Sequence, residues 1–414
     1  MITADALALL LLQITVILAA AKLTAAAVAR AGQPAVVGEM LGGILLGPSF
    51  FGWLTPPVHR ALFPADATGS LQLLSQIGVI LFMFLVGSEL NLSRVRRNAR
   101  TAVAVSYAGI AAPMLLGVAL SWVLFRDFAP SGVTFLPFAL FVGTAMSITA
   151  FPVLARILAE RRMTDSVLGA TAIACAAVDD VTAWCMLSIV VAVAKATGAG
   201  GAALTVMTVA IFAGVMLMMI RPLVARMNHH PRWSGDRALV GALIFAFASA
   251  FVTQAIGVHA IFGAFLAGVV VSAHAATRTL VQDRVHALAS AMLVPLFFAS
   301  AGLRTELSSI VGIRSWMLCA AIVVVAIAGK FGGASLAARF TGMAWRDSLA
   351  LGALMNTRGL MELIVLNVGY DLGILSPALF SMMVLMALVT TGMTAPILTL
   401  LRGNTTALGV RSAI

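Results

Sequence analysis

Residues 168–194 read LGATAIACAAVDDVTAWCMLSIVVAVA, with Asp179 and Asp180 side by side near the centre. A bilayer crossing needs about 20 mostly apolar residues, and this run is long enough. A charged side chain at membrane depth costs at least about 2.5–3.5 kcal/mol. Two adjacent carboxylates also repel each other when both are ionised. Neither lipid contact nor simple packing calls for such a pair. The run therefore reads as a transmembrane helix with an ion or proton site facing a water-filled cavity.

The surrounding composition agrees. The 414-residue chain is 61% hydrophobic and only 10% charged, with a mean hydropathy of +1.07. Soluble domains carry about 25% charged residues. The net charge of +11 does not point to nucleic acid, because the basic residues sit in short loops between apolar runs. There they act as topology signals. The three cysteines, Cys175, Cys185 and Cys319, all lie in apolar runs without CxxC spacing, which argues against a zinc or redox site. The first apolar run lacks the basic flank and small-residue cleavage site of a signal peptide and reads as a retained span.

Hydropathy places thirteen spans, at 6–29, 34–54, 71–90, 101–125, 133–158, 166–195, 203–226, 237–256, 259–275, 286–303, 315–338, 347–370 and 376–401. Spans eight and nine are separated only by Gly257–Val258, the weakest boundary. With the N-terminus outside, eighteen Lys and Arg residues fall on the cytoplasmic side and five on the other; Lys22, Lys330 and Arg358 fall inside spans. That bias follows the positive-inside rule and favours an odd number of spans, with the C-terminus cytoplasmic.

The chain also repeats itself. GEMLGG at 38–43 is echoed by GAFLAG at 263–268, LFMFLVGSELNL from Leu81 by LFFASAGLRTEL from Leu296, and GTAMS at 143–147 by GALMN at 352–356. All three pairs are seven spans apart and in the same order. Seven is odd, so the copies would cross in opposite directions, as inverted repeats of secondary transporters do. Repeat one covers 6–195, a linker helix 203–226, and repeat two 237–401.

Spans five and twelve carry helix-breaking features at matching positions. In FVGTAMSITAFPVLARIL, Gly143, Ser147 and Thr149 precede Pro152, which lacks a backbone donor. In LGALMNTRGLMELIVLNVG, Asn356, Thr357, Arg358, Gly359 and Glu362 interrupt an apolar run. Unwound backbone survives in a membrane only where protein or a water-filled cavity satisfies it. Paired interruptions in two repeats mark a transport site. A plain proline kink and a polar cluster used only for packing are the alternatives.

Neighbouring helical residues point about 100° apart, so Asp179 and Asp180 cannot serve one spot. One faces the ion path and the other meets a partner, for which Lys330 in span eleven is the available cation. The alternative is a buried Asp–Lys pair that only holds two helices together. Glu39 in its glycine-rich span either lines a cavity or makes a packing hydrogen bond. Glu89 reads as an interfacial cap, His259 as interfacial and Trp184 as packing.

The segments AVVGEMLGGILLGPSFFG, LFMFLVGSELNL, MSITAFPVLARIL, AAVDDVTAW, FGAFLAGVVV, PLFFASAGLRTEL and NTRGLMELIVLN resemble the monovalent cation:proton antiporter superfamily. The resemblance is to its second branch, of bacterial Na⁺(K⁺)/H⁺ antiporters and plant cation/proton exchangers, and runs from Pro34 to Leu400. It implies an all-α NhaA-type fold of thirteen transmembrane helices: two inverted six-helix repeats with crossed broken helices. It also implies a core subdomain from spans 3–6 and 10–13, a dimerisation subdomain from spans 1–2 and 8–9, and a homodimer. By that resemblance Asp180 carries ion and proton, Asp179 pairs with Lys330, Ser147 and Thr149 help coordinate the ion, and Asn356, Arg358 and Glu362 form the second crossover. Two aspartates in sequence imply electrogenic exchange.

The expected activity is exchange of Na⁺ or K⁺ for H⁺ by alternating access in a cell membrane, that of a bacterial inner membrane. The ion is substrate, no cofactor is required, and no nucleic acid is bound. A cation channel or uniporter, and an exporter of another small cationic solute on the same fold, are the alternatives. An intramembrane aspartyl enzyme needs carboxylates on two facing helices, which a neighbouring pair on one helix does not provide; no GxSxG or HExxH motif is present either.

Overall fold

A computed structural model of the chain describes residues 6–64, 68–89, 99–164, 166–194, 198–226, 235–256 and 259–402. The Gly257–Val258 boundary, and loop residues Arg94, Arg96, Arg97, Lys195, Arg232 and Arg411, lie outside the described residues. All regular structure among the described residues is helical. Among the described residues, ten helices are long and apolar enough to cross a membrane, and two shorter apolar helices, Phe135–Ser147 and Ala260–Val271, accompany them.

The chain divides into two compact units. The first takes Met1–Ala20, Leu54–Asn91 and Ser188–Ser300. In it the Ala260–Val271 helix packs between Thr68–Glu89 and Gly235–Ala255. Eleven of its twelve residues are buried, which is why this stretch is hydrophobic on every side. Hydropathy starts span ten near residue 286, but helix begins at Ala275 and continues, through a π-helical turn at Ala289–Leu293, to Leu303. Its opening half, AATRTLVQDRVHAL, is too polar for a hydropathy reading to register.

The second unit takes Ala21–Trp53, Leu92–Leu187 and Ala301–Ile414, and it contains the aspartate pair. The aspartate helix, Val167–Ala194, carries Asp179 and Asp180 in its middle. The lysine helix, Gly312–Phe340, opens into a π-helical turn at Ala328–Gly332 that contains Lys330. A wall helix, Ala99–Phe128, packs against the lysine helix and against Phe135–Ser147.

Spans five and twelve are each two helices. The first broken helix is Phe135–Ser147 followed by Phe151–Glu160, and the second is Trp345–Met355 followed by Leu360–Asp371. Helix stops after Ser147 because Ile148 is extended, with φ −78° and ψ 138°. It restarts with Pro152 in the first turn, where a missing N–H costs no helical bond. The second break ends at Gly359, whose φ of 154° favours glycine. The two breaks meet: Ala150 N–H donates to Thr357 O at 3.0 Å, and Leu360–Asp371 packs on both halves of the first broken helix. The threonine helix, Pro377–Arg402, packs against Trp345–Met355 and the start of the lysine helix.

Candidate functional site: two broken helices and a split aspartate pair

Each interrupted helix exposes orphan carbonyls at one end and orphan amides at the other. These ends carry roughly half a charge each, negative at the C-terminus and positive at the N-terminus. The second unit answers several of the carbonyls with side-chain donors. At the C-terminal end of Phe135–Ser147, Arg358 donates to Ala145 O at 2.9 Å and to Met146 O at 2.5 Å. Lys330 donates to Ser147 O at 2.6 Å. Two cations thus cap one half-helix, the sign its terminus favours.

Lys330 reaches further. Its ammonium pairs with Asp179 Oδ2 at 2.6 Å, with both side chains out of solvent. Thr149 Oγ1 lies 2.6 Å from the same carboxylate oxygen and 2.9 Å from Met355 O, at the end of Trp345–Met355. One hydroxyl proton can serve only one of these acceptors at a time. Ser106 of the wall helix donates to Asp179 Oδ1. Both oxygens of Asp179 are therefore occupied by protein donors.

Asp180 is the opposite case. It is equally buried, 1% exposed, yet neither carboxylate oxygen completes a hydrogen bond among the described residues. What faces it is the Phe151 N–H, at the positive N-terminal end of the second half-helix. A bare ionised carboxylate in such surroundings is costly unless a proton or a cation joins it. The single-residue step along the helix thus separates a saturated carboxylate from an unsatisfied one.

At the second break, Arg358 lies 3.2 Å from Glu362, one turn ahead in Leu360–Asp371, and both are fully buried. Thr391 of the threonine helix clasps the Arg358 backbone, accepting from its N–H at 2.9 Å and donating to its carbonyl at 2.7 Å. Asn356 donates to Met393 Sδ at 3.5 Å, and its carbonyl oxygen has no partner among the described residues.

The structure brings Asp179, Lys330, Thr149 and the Ser147 carbonyl together, and separately Arg358 with Glu362. The Ser147 hydroxyl turns back to Gly143 O at 2.6 Å and Ile110 O at 3.1 Å. No hydrogen bond among the described residues links Ser147 or Thr149 to Asp180. Glu39 is buried against Lys22, 3.3 Å away. His259 stands at the N-terminal boundary of Ala260–Val271, and Trp184 is buried. Glu89 is exposed, with His286 and Arg278 near it. Sequence reasoning missed Ser106 and Thr391. A lone serine in an apolar span carries no signal, but TTGMT at 390–394, three threonines in five residues of a span, was one.

Comparison with known proteins gives the same outline. The transmembrane sodium/hydrogen exchanger family model matches residues 15–400. The chain is 40% identical over 397 residues to the Na⁺/H⁺ antiporter NhaS4 of Synechocystis, covering 95% of this chain and 97% of that protein. It is 39% identical over 399 residues to cation/H⁺ antiporter 17 of Arabidopsis thaliana, covering 95% of this chain but 48% of that protein, so it spans about half the length of this plant relative. The sodium proton antiporter MjNhaP1 of Methanocaldococcus jannaschii shares the fold, with a TM-score of 0.68 at 14% identity over 95% of this chain and 98% of that one.

Proposed function

Because the chain belongs to the transmembrane sodium/hydrogen exchanger family, within the monovalent cation:proton antiporters, we propose that it exchanges Na⁺ or K⁺ for H⁺ at Asp180. It is a multi-pass membrane transporter and not an enzyme. The observation that carries the reading is the contrast between the two aspartates: Asp179 holds side-chain donors on both oxygens, whereas Asp180 has no side-chain donor among the described residues.

Proton and cation compete for Asp180. A proton neutralises the carboxylate and lets the site cross the membrane without a bare charge. A cation docking from the other side displaces that proton and needs several oxygen ligands in place of its water. Asp180, the Thr149 and Ser147 oxygens, backbone carbonyls of the breaks and water supply them. Asp179 stays with Lys330 and keeps a compensated charge beside the exchanging one.

The finer arrangement we propose is an NhaA-type fold of thirteen spans in two inverted six-helix repeats, with the broken helices crossed. A core subdomain from spans 3–6 and 10–13 moves as an elevator against a dimerisation subdomain from spans 1–2 and 8–9 in a homodimer. The N-terminus is outside and the C-terminus cytoplasmic, in the inner membrane of a bacterium, and exchange is electrogenic.

Purified protein in proteoliposomes, loaded with a proton gradient reported by a quenched dye, tests the activity. Na⁺ or K⁺ should dequench the dye, and Asp180→Asn should abolish the response while the protein still folds. Retained exchange in Asp180→Asn would remove Asp180 from the centre of the mechanism. Ion currents without proton counter-flux would mean a channel.

A further inference from the structure

Both oxygens of Asp179 are held by side-chain donors, and those donors divide unevenly between them. Lys330 and Thr149 act on Oδ2 alone. The donor to Oδ1 is Ser106, on the wall helix, 73 residues away in sequence. Ser106 is fully buried, and its single proton is directed at that carboxylate.

The wall helix is shaped for this contact along one face. Ser106, Gly109 and Pro113 follow at spacings of three and four residues, so they lie on the same side. A Cβ placed on Gly109 would come 3.9 Å from Lys330 Nζ, and one on Gly329 would come 2.7 Å from Pro113 Cα. The wall helix therefore meets both members of the ion pair. It touches Asp179 through a hydroxyl and passes beside the lysine head at Gly109.

We propose that Ser106 is a positioning residue of the exchange site: it fixes the Asp179 carboxylate so that Lys330 stays on Asp179 and off Asp180. This rests on Asp180 being the exchanging carboxylate. Thr149 cannot replace Ser106, because its proton has a competing acceptor in Met355 O. Without the Ser106 hydroxyl, Asp179 can rotate and Lys330 is free to lean toward Asp180. There the ammonium competes with the transported cation. The effect falls on cation affinity rather than on turnover.

The test uses the full-length protein with Ser106 replaced by Ala, Val or Thr. Thr keeps the hydroxyl, and Val has the same shape without it. A hydrogen bond to a charged group supports a rise of roughly tenfold in apparent cation KM for both S106A and S106V, with kcat little altered. S106T should recover most of that loss. In an Asp179→Asn background, S106A should add no further rise. A packing role predicts the reverse order, with S106A near wild type and both S106T and S106V impaired, and that result would overturn the proposal. So would full additivity of S106A with Asp179→Asn. If the wild-type protein showed no exchange at all, the transport reading would fail by itself. Thermal unfolding of the same single and double variants in detergent would still decide the Ser106–Asp179 link, non-additive shifts supporting it and additive shifts refuting it.

Discussion

Arg358 is the residue on which the most structure depends. Its guanidinium holds two terminal carbonyls of Phe135–Ser147, its charge lies 3.2 Å from Glu362, and its backbone is clasped by Thr391. Removing one member of a buried charge pair costs about 3–5 kcal/mol, because the partner is left uncompensated. Arg358→Met should therefore destabilise the protein by an amount in that range. The double variant Arg358→Met/Glu362→Gln should recover part of the loss, since the stranded carboxylate is gone while the carbonyls stay uncapped. Melting temperatures of Arg358→Met, Glu362→Gln and the double variant measure this. A double variant as unstable as the sum of the singles would show that the two side chains do not act as a pair. Lysine is a poor replacement, because one ammonium cannot reproduce the two parallel donors of a guanidinium.

At the scale of elements, the breaks are what turn ordinary spans into a site. Gly359 decides the second one. Its φ of 154° is unfavourable for any residue with a Cβ, and a Cβ there would sit 2.7 Å from Val153 Cγ2 in the other broken helix. Gly359→Ala should cost about 1–3 kcal/mol from backbone strain alone, with a further loss from that contact. Transport should fall along with the melting temperature, because the same glycine sets how the two breaks meet. Wild-type stability in Gly359→Ala would mean that the break does not depend on this conformation.

Both breaks could be read from residue types: Pro152 at one, and a polar run containing Gly359 at the other. The aspartate helix was equally legible, since a carboxylate pair inside an apolar run has few explanations. What the sequence could not carry was the division of labour between partners far apart in the chain. Ser106 and Thr391 are ordinary small polar residues until the fold places them beside Asp179 and Arg358. The start of the Ala275 helix was hidden for a different reason. Hydropathy detects apolar residues and passes over a polar helix that continues into a span.

At the scale of the whole molecule, the proposed sharing of one carboxylate, Asp180, by proton and cation would fix how transport depends on pH. Where Asp180 is mostly protonated, each unit of falling pH should raise the apparent KM for the cation about tenfold, because competition at a single site links the two ligands one for one. At high pH the KM should level off. A KM independent of pH, with only the maximal rate changing, would place the proton elsewhere.

The arrangement of the chain in the membrane is tested separately, through its termini. Inverted repeats require an odd number of spans from one copy to the next, and the proposed thirteen spans would put the two ends of the chain on opposite sides. The distribution of basic residues, eighteen against five, is the basis for the proposed cytoplasmic C-terminus. A fluorescent protein fused after Ile414 should therefore fold and fluoresce, and an alkaline phosphatase fused there should be inactive. A phosphatase fused within the loop near Lys195, between the first repeat and the linker helix, should be active. A reporter fused to the N-terminus should lie outside; if it and the Ile414 reporter were found on the same side, the span count would be even. Thirteen spans, and with them two six-helix repeats joined by one linker helix, would then be excluded.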